Sequence, residues 1–297
     1  MRRLLAATDL SSRSDRAVRR AADLARSFGA ELLLLHVVDD DQPVSLIAAA
    51  RREVTSLLRQ AAVGLPELSA VAPRVLVEEG DAFDGIIRAA EMHAVDLIVL
   101  GTHRRRLLQD IFVGTTIERV IRLGARPVLM VNRLPIAPYT RILAAVDPEE
   151  GSAQALRCAA ALGLLDGADL TVLHAFDLPG KRGLFLGDVP VERIECHLST
   201  TAREVRADLT RFLAAVGLVP PPAIIAEEGR PASVVKDAVK RLRPDLLLIG
   251  AGRHGVLRRA FLGSVASEVI SDTEYDILIV PSDQGDRDVR AGPELHG

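Results

Sequence analysis

Tryptophan is absent from this chain of 297 residues, and aromatic residues make up only 3% of it. Proteins that hold single-stranded nucleic acids stack the bases on aromatic side chains, so this kind of binding is not expected. The net charge of −3 gives no overall attraction for a phosphate backbone either. The composition therefore predicts no nucleic-acid partner.

Cysteines and long apolar runs are also scarce. The two cysteines, Cys158 and Cys196, form neither a disulfide framework nor a zinc-binding spacing, and we expect two reduced thiols. No apolar stretch reaches the ~20 residues that a membrane-spanning helix needs. The basic and apolar start of the chain is interrupted by Asp9, too early for a signal peptide. We expect a cytoplasmic protein without a membrane partner.

The sequence also lacks the common catalytic motifs. Its three lysines, Lys181, Lys236 and Lys240, lie outside the glycine-containing loops described below. Neither a Walker lysine loop nor a G-x-S-x-G elbow nor a metal-ligand constellation occurs. We predict no catalytic residues and no bound metal centre, and at most slow ATP hydrolysis or self-phosphorylation.

The sequence does contain an internal repeat, in which the second half of the chain repeats the pattern of the first. Asp9 recurs 138 residues later as Asp147, and Gly101 recurs 149 residues later as Gly250, which leaves an 11-residue insertion in the second copy, expected near 178–190. We predict two homologous domains, residues 1–135 and 139–283, followed by a disordered polar tail, residues 284–297. The matching blocks are RRLLAATDLSS with TRILAAVDPEEGS, ELLLLHVVD with DLTVLHAFD, RVLVEEGDAFDGIIRAAEMHAVDLIVLGTH with AIIAEEGRPASVVKDAVKRLRPDLLLIGAG, and GTTIERVIRLGARPVLMV with GSVASEVISDTEYDILIV.

Each copy alternates short apolar strands with segments of helical periodicity. Strands such as ELLLLHVV are apolar on both faces, as in a parallel sheet covered on both sides. The alternation predicts two tandem doubly wound α/β domains, each with a five-stranded parallel sheet, expected order 3-2-1-4-5, and helices on both faces.

Two features in each copy fall where such folds bind ligands, beyond the carboxyl ends of the strands. The first strand is followed by Asp9, whose carboxylate could accept hydrogen bonds from a base amine or from ribose hydroxyls. The fourth strand ends at Gly101 and opens a loop towards Gly114 and Thr115, where bare backbone and a hydroxyl could hold phosphate. The second copy offers Asp147, Gly250, Gly263 and Ser264 at the same places.

These residues resemble the universal stress protein family, over nearly the whole chain apart from the tail. Family members that bind ATP carry a loop of glycine, two residues, glycine, nine residues, glycine and Ser or Thr. This spacing is kept twice here, but Arg104 and Arg253 stand at the second glycine position. The resemblance implies Asp9 and Asp147 near adenine and ribose, backbone contacts of Val37 and Ala175 to the base, and Gly101, His103, Gly114, Thr115, Gly250, Gly252, Gly263 and Ser264 around ribose and phosphates.

Several functions follow as alternatives. The resemblance implies a stress-response regulator that binds ATP or another adenine nucleotide, with Mg²⁺ as its accompanying ion, and acts on an unidentified protein partner. The two arginines could either obstruct the phosphates or pair with them. A nucleotide-free interaction scaffold of the same fold, and an enzyme of the wider group of adenine-nucleotide α/β proteins, are the competing interpretations.

Simpler structural roles compete for the same residues. Asp9 and Asp147 could cap the first helix of each domain, and His36 and His174 could pack at strand ends. The resemblance further implies that the final strands of the two halves pair as a pseudo-dimer, and two chains could pair as a homodimer. The counterpart of Pro127 is Asp276, which breaks the symmetry of those strands.

Overall fold

A computed structural model describes residues 1–102, 115–135, 137–177, 191–250 and 275–281. The predicted insertion near 178–190 and the predicted tail lie outside the described residues. So do seven of the predicted site residues, namely His103, Arg104, Gly114, Gly252, Arg253, Gly263 and Ser264.

Strands and helices alternate through both halves of the described chain. The first half comprises β1 (Arg3–Ala7), α1 (Ser12–Phe28), β2 (Glu31–Val38), α2 (Val44–Gly64), α3 (Pro66–Ser69), β3 (Arg74–Glu79), α4 (Ala82–Met92), β4 (Leu97–Gly101), α5 (Thr116–Leu123) and β5 (Val128–Val131). The second comprises β6 (Arg141–Ala145), α6 (Glu150–Ala161), β7 (Asp169–Phe176), α7 (Val191–Val216), β8 (Ala223–Glu228), α8 (Pro231–Leu242), β9 (Leu246–Gly250) and β10 (Asp276–Val280).

All ten strands form one continuous sheet in the order β3-β2-β1-β4-β5-β10-β9-β6-β7-β8. Within each half the strands are parallel and follow the order 3-2-1-4-5, so the predicted fold class is confirmed. The halves meet where β5 and β10 pair antiparallel, with Leu129 opposite Leu278. This pairing shields the apolar edge that each half would otherwise expose.

Helices cover both faces of the sheet because successive strand residues point to opposite sides. Leu4 and Ala6 belong to the core on one face, whereas Leu5 belongs to the core on the other. Helix α1 begins after Ser11, whose side chain accepts from the Ser14 backbone amide, and it ends at Gly29 with φ 62°. Serine at the start of a helix and a left-handed glycine at its end are standard signals.

The segment between the halves is held by a buried carboxylate. Asp276, which is 1% exposed, accepts a hydrogen bond from the Tyr139 hydroxyl at 2.6 Å, and from the backbone amides of Asn132 at 2.9 Å and Arg133 at 3.2 Å. The guanidinium of buried Arg20 lies 3.4 Å from the same carboxylate. The residue that breaks the repeat symmetry therefore anchors the connection between the halves.

Beside this junction, α1, the connecting segment and the turn after α6 enclose a cavity of about 800 Å³. None of the predicted site residues lines it. Among the described residues, no helix combines the length and the apolar character required to span a membrane.

Candidate functional site

The carboxyl end of β1 carries a compact network of hydroxyl groups. The Thr8 hydroxyl lies 2.9 Å from the hydroxyl of buried Ser14 and accepts from the Leu10 amide at 3.0 Å. The Ser14 hydroxyl in turn donates to the Ser11 carbonyl at 2.9 Å. This network fixes the path of the chain from the strand into α1, and so fixes the position of Asp9 between them.

Asp9 does not cap α1, because Ser11 occupies that position. Its carboxylate instead accepts from the Ser11 backbone amide at 3.0 Å. Partial burial alone would raise the pKa of Asp9, but hydrogen bonds from Ser11 and Ser14 outweigh it and bring the pKa below its usual value. The capping interpretation is therefore wrong for Asp9. Its exposed, ionised carboxylate lies just beyond the carboxyl end of the inner strand β1.

A histidine ties the neighbouring strand to this edge. The His36 Nδ1 lies 2.8 Å from the Thr8 carbonyl oxygen, across the β1–β2 pair. His174 makes the corresponding contact in the second half, 2.9 Å from the Val146 carbonyl. Both histidines are thus half-buried and hold neighbouring strand ends together. Val37 and Ala175, which follow them in sequence, lie at the same carboxyl end of the sheet.

Gly101, at the end of β4, is required by packing. A Cβ added there would lie 2.7 Å from the Arg13 carbonyl oxygen and 2.9 Å from the Ser14 Cα. At Gly250 an added Cβ would lie 2.9 Å from the Gly151 carbonyl oxygen. The start of the first helix of each domain therefore rests directly on the strand end that opens the predicted phosphate loop, and this packing alone accounts for both glycines.

Thr115 begins the helix that follows the predicted loop. Its side-chain oxygen accepts from the Glu118 backbone amide at 3.2 Å and so caps α5. A hydroxyl that accepts in this way still has its own proton to donate. Thr115 can therefore cap the helix and donate to an anion at the helix start at the same time.

The second copy has a different arrangement around Asp147. The Asp147 amide donates to the Ser152 hydroxyl at 3.0 Å, and its side chain is 59% exposed, with Oδ1 4.0 Å from His174 Nδ1. Glu149 occupies the N-cap position before α6, and its side chain makes no capping hydrogen bond. Asp147 therefore does not cap its helix either.

The side chain of Val37 fills a space that only glycine leaves open. A Cβ added to Gly85 of α4 would lie 2.8 Å from a Val37 methyl carbon. In the second half the corresponding residues are Ala175 and Val234, so the larger side chain is exchanged between strand and helix. Packing thus fixes the side chain of Val37 against α4, and its backbone contact with a base stays a prediction.

Asp9 follows β1, Val37 lies near the end of β2, and Gly101 ends β4. These three strands are adjacent in the sheet, at the point where the strand order reverses. Thr8, Ser14 and His36 belong to the same edge, and the sequence analysis did not assign them to the site. The repeat gave a usable signal for two of them, because His36 recurs as His174 and Ser14 as Ser152, whereas Thr8 is replaced by Val146.

An acidic group lies at the end of β2. Asp39, Asp40 and Asp41 are exposed, and their carboxylate oxygens lie within 4.8 Å of one another. Such exposed groups are common without a metal ion. Asp40 lies beside the turn after β3, with its Oδ2 3.8 Å from the position of an added Cβ on Gly80.

Residues 1–132 and 138–281 each match the family model described as the universal stress protein family. The chain belongs to this family. The two matched segments correspond to the two halves of the ten-stranded sheet.

Several relatives of this universal stress protein match one half of it. A universal stress protein of Methanocaldococcus jannaschii is 31% identical over 140 residues, which is 44% of this chain and 82% of the relative. One from Thermus aquaticus is 29% identical over 143 residues, 48% of this chain and 98% of the relative. The crystal structure of a universal stress protein from Archaeoglobus fulgidus matches both halves, with a TM-score of 0.66, 19% identity, and coverage of 95% of this chain and 98% of that one. That likeness shows the shared fold.

Proposed function

We propose that this universal stress protein binds ATP or a related adenine nucleotide at the carboxyl edge of its sheet, in one or both domains. Occupancy of the site would control a protein partner in a stress response in the cytoplasm. The observation that supports this proposal is the convergence of Asp9, Val37 and Gly101 on three adjacent strand ends. The ionised carboxylate of Asp9 could accept from ribose hydroxyls, and the Thr115 hydroxyl could donate to phosphate.

A nucleotide-free scaffold remains the second candidate, and one observation favours it. Gly101 and Gly250 are both explained by the close approach of the first helix, 2.7 Å and 2.9 Å from the position of an added Cβ. These glycines would therefore be retained whether or not phosphate binds beside them.

Titration calorimetry with MgATP separates the two candidates. Protein purified without added nucleotide is first analysed by native mass spectrometry, and stripped protein is then titrated with millimolar MgATP. Nucleotide binding predicts a saturable heat and a rise in unfolding temperature, because a ligand that binds only the folded state stabilises it. A titration with neither signal would contradict nucleotide binding and favour the scaffold instead.

The arginines at the second glycine position are tested in the same assay with Arg104→Gly and Arg253→Gly. A gain of affinity would show that the side chains obstruct the phosphates. A loss of affinity would show that the guanidinium groups bind them.

A further inference from the structure

The cavity at the domain junction is lined by both domains and by the segment that connects them. Helix α1 forms one wall, the connecting segment a second, and the turn after α6 a third. Its volume of about 800 Å³ is in the range of sites that bind small organic molecules. Phe28 and Asp166, which line one end of it, shortly precede β2 and β7. This end of the cavity therefore lies at the amino ends of the strands, opposite the proposed nucleotide site.

The turn after α6 departs from the repeat. Phe28, the last residue of α1, has Asp166 as its counterpart, yet α6 already ends at Ala161. The chain turns at Gly163, whose φ of 79° is a left-handed conformation that favours glycine. A Cβ added to Gly163 would lie 2.7 Å from Phe28 Cε1 and 3.5 Å from Asp166 Oδ2. The turn therefore brings a carboxylate of the second domain close to an aromatic ring of the first.

The charges that line the cavity leave a carboxylate without a counter-ion. All three guanidinium groups of the lining have acidic partners, since Arg19 pairs with Asp15 and Glu67, Arg20 with Asp276, and Arg26 with Asp23. Asp166 is exposed, and no cation of the described chain pairs with it. An anionic ligand would have to displace one of the paired carboxylates, whereas a cationic ligand can pair with Asp166 directly.

A second acidic side chain of the lining lacks a hydrogen-bond donor. Glu67 Oε1 accepts from Arg19, but Glu67 Oε2 is buried and has no hydrogen-bond partner within the part of the chain that the structure describes. A buried acceptor without a donor is costly, and an ammonium group carries three donors. The unsatisfied acceptor therefore also favours a ligand that donates.

Apolar side chains form much of the remaining lining. Leu24, Leu164 and Tyr139 are buried, whereas Leu134 of the connecting segment is 57% exposed. Small-molecule sites combine such apolar walls with a few polar groups that orient the ligand. A bare metal ion would leave these walls uncovered, and the lining suits a molecule with an apolar body.

We propose that the junction cavity binds a small organic cation with an apolar body, such as an aromatic amine. Its ammonium group pairs with Asp166 beside the Phe28 ring, which adds a cation–π contact, and its body covers Leu134. Because both domains and their connection line the cavity, the bound cation stabilises the junction. This inference does not rest on nucleotide binding.

Three probes of one shape and different charge test the ligand class. Tryptamine is a cation at pH 7, tryptophol is its neutral alcohol, and indole-3-acetate is an anion. Calorimetric titration of the full chain with each probe at millimolar concentration measures affinity. We expect saturable binding of tryptamine, at least roughly tenfold weaker binding of tryptophol through the loss of the charged contact, and the weakest binding for indole-3-acetate.

Substitutions of Asp166 locate the binding site. Asp166→Asn keeps the shape of the side chain and removes its charge, so affinity for tryptamine should fall roughly tenfold, with partial rescue by Asp166→Glu. Affinity for tryptophol should change little. Asp169→Asn is the matched control, because Asp169 is exposed nearby but does not line the cavity, and it should bind tryptamine as the parent does.

Trypsin cleavage after Arg133 reports on the junction itself. Saturating tryptamine should slow this cleavage in the parent protein, and the same concentration should protect Asp166→Asn much less. Absence of tryptamine binding, equal affinity for the three probes, tighter binding of indole-3-acetate, or unchanged affinity of Asp166→Asn would overturn the inference. So would binding that leaves the cleavage rate unchanged. None of these results affects the proposed nucleotide site, because none of its residues lines the cavity.

Discussion

At the scale of single residues, one aspartate in each domain holds the start of the first strand. Asp245 accepts hydrogen bonds from the Thr140 amide at 2.9 Å, the Thr140 hydroxyl at 2.7 Å and the Arg141 amide at 3.0 Å. In the first domain Asp96 accepts from the amides of Arg2 and Arg3. These carboxylates satisfy backbone donors just before β6 and β1, which would otherwise lack partners at the edge of the core.

Asp245 makes the stability of the protein dependent on acid pH. Partial burial alone would raise its pKa, but the hydrogen bonds from Thr140 and Arg141 outweigh it and lower the pKa. A lowered pKa stabilises the folded state above the unfolded value of about 4, and this contribution is lost as pH falls through the folded pKa. We expect Asp245→Asn to reduce the free energy of unfolding by about 1–2 kcal/mol at pH 7, and the difference from the parent protein to shrink below about pH 4.

Urea denaturation followed by circular dichroism between pH 3 and pH 7 measures this effect. Asp169→Asn, an exposed carboxylate at the start of β7, is the control and should change stability by less than about 0.5 kcal/mol. A difference for Asp245→Asn that stays constant across this pH range would show that the carboxylate's charge contributes nothing.

At the scale of secondary-structure elements, some helix ends can be predicted from the sequence and others cannot. Ser11 and Gly29 are standard cap residues, and α1 could be bounded from the sequence because local chemistry decides both of its ends. The helix before the fourth strand of each domain, α4 in the first and α8 in the second, ends differently. Ala94, after α4, has φ 48°, and Arg243, after α8, has φ 47°, although neither residue favours this conformation.

These two positions are 149 residues apart, so the same turn occurs in both domains. It leads directly into Asp96 and Asp245, the aspartates that bind the start of the first strand of each domain. The sequence could not show this, because the conformation comes from tertiary packing and no glycine marks it. The reason for Gly101 was hidden similarly: the spacing indicated a phosphate loop, whereas the contact that requires the glycine comes from a helix far away along the chain.

Glycine at the two left-handed positions should stabilise the protein. We expect Ala94→Gly and Arg243→Gly each to raise the free energy of unfolding by about 0.5–1 kcal/mol, because the strain of a Cβ at positive φ exceeds the added entropy of the unfolded chain. The two effects should add, since the positions lie in different domains. Glu91→Gly, one helical turn earlier in α4, is the matched control and should destabilise by about 0.5–1 kcal/mol. A loss of stability in Ala94→Gly, measured by calorimetry, would contradict this explanation.

At the scale of the whole molecule, the ten-stranded sheet joins two copies of one fold through a contact that only one copy can make. Asp276 stands where the first copy has Pro127. Its carboxylate binds the chain as it leaves β5, while Arg20 and Arg16 of α1 donate to the carbonyl oxygens of Ala137 and Asn132. The repeat explains the paired β5 and β10, but the conformation of the connection depends on this departure from the repeat.

Removing the carboxylate should therefore loosen the connection between the domains. Asp276→Ala leaves the buried guanidinium of Arg20 without its counter-ion and two backbone amides without an acceptor, and we expect a loss of about 3–5 kcal/mol in the free energy of unfolding. Tyr139→Phe removes one hydrogen bond from the same carboxylate and should cost only about 1–2 kcal/mol. Cleavage by trypsin after Arg133, an exposed residue of the connection, should accelerate in the same rank order, and Asp166→Ala, exposed in the nearby turn, should leave the rate unchanged. If Asp276→Ala were cut at the parental rate, β5 and β10 alone would hold the halves together and the buried network would be dispensable to the connection.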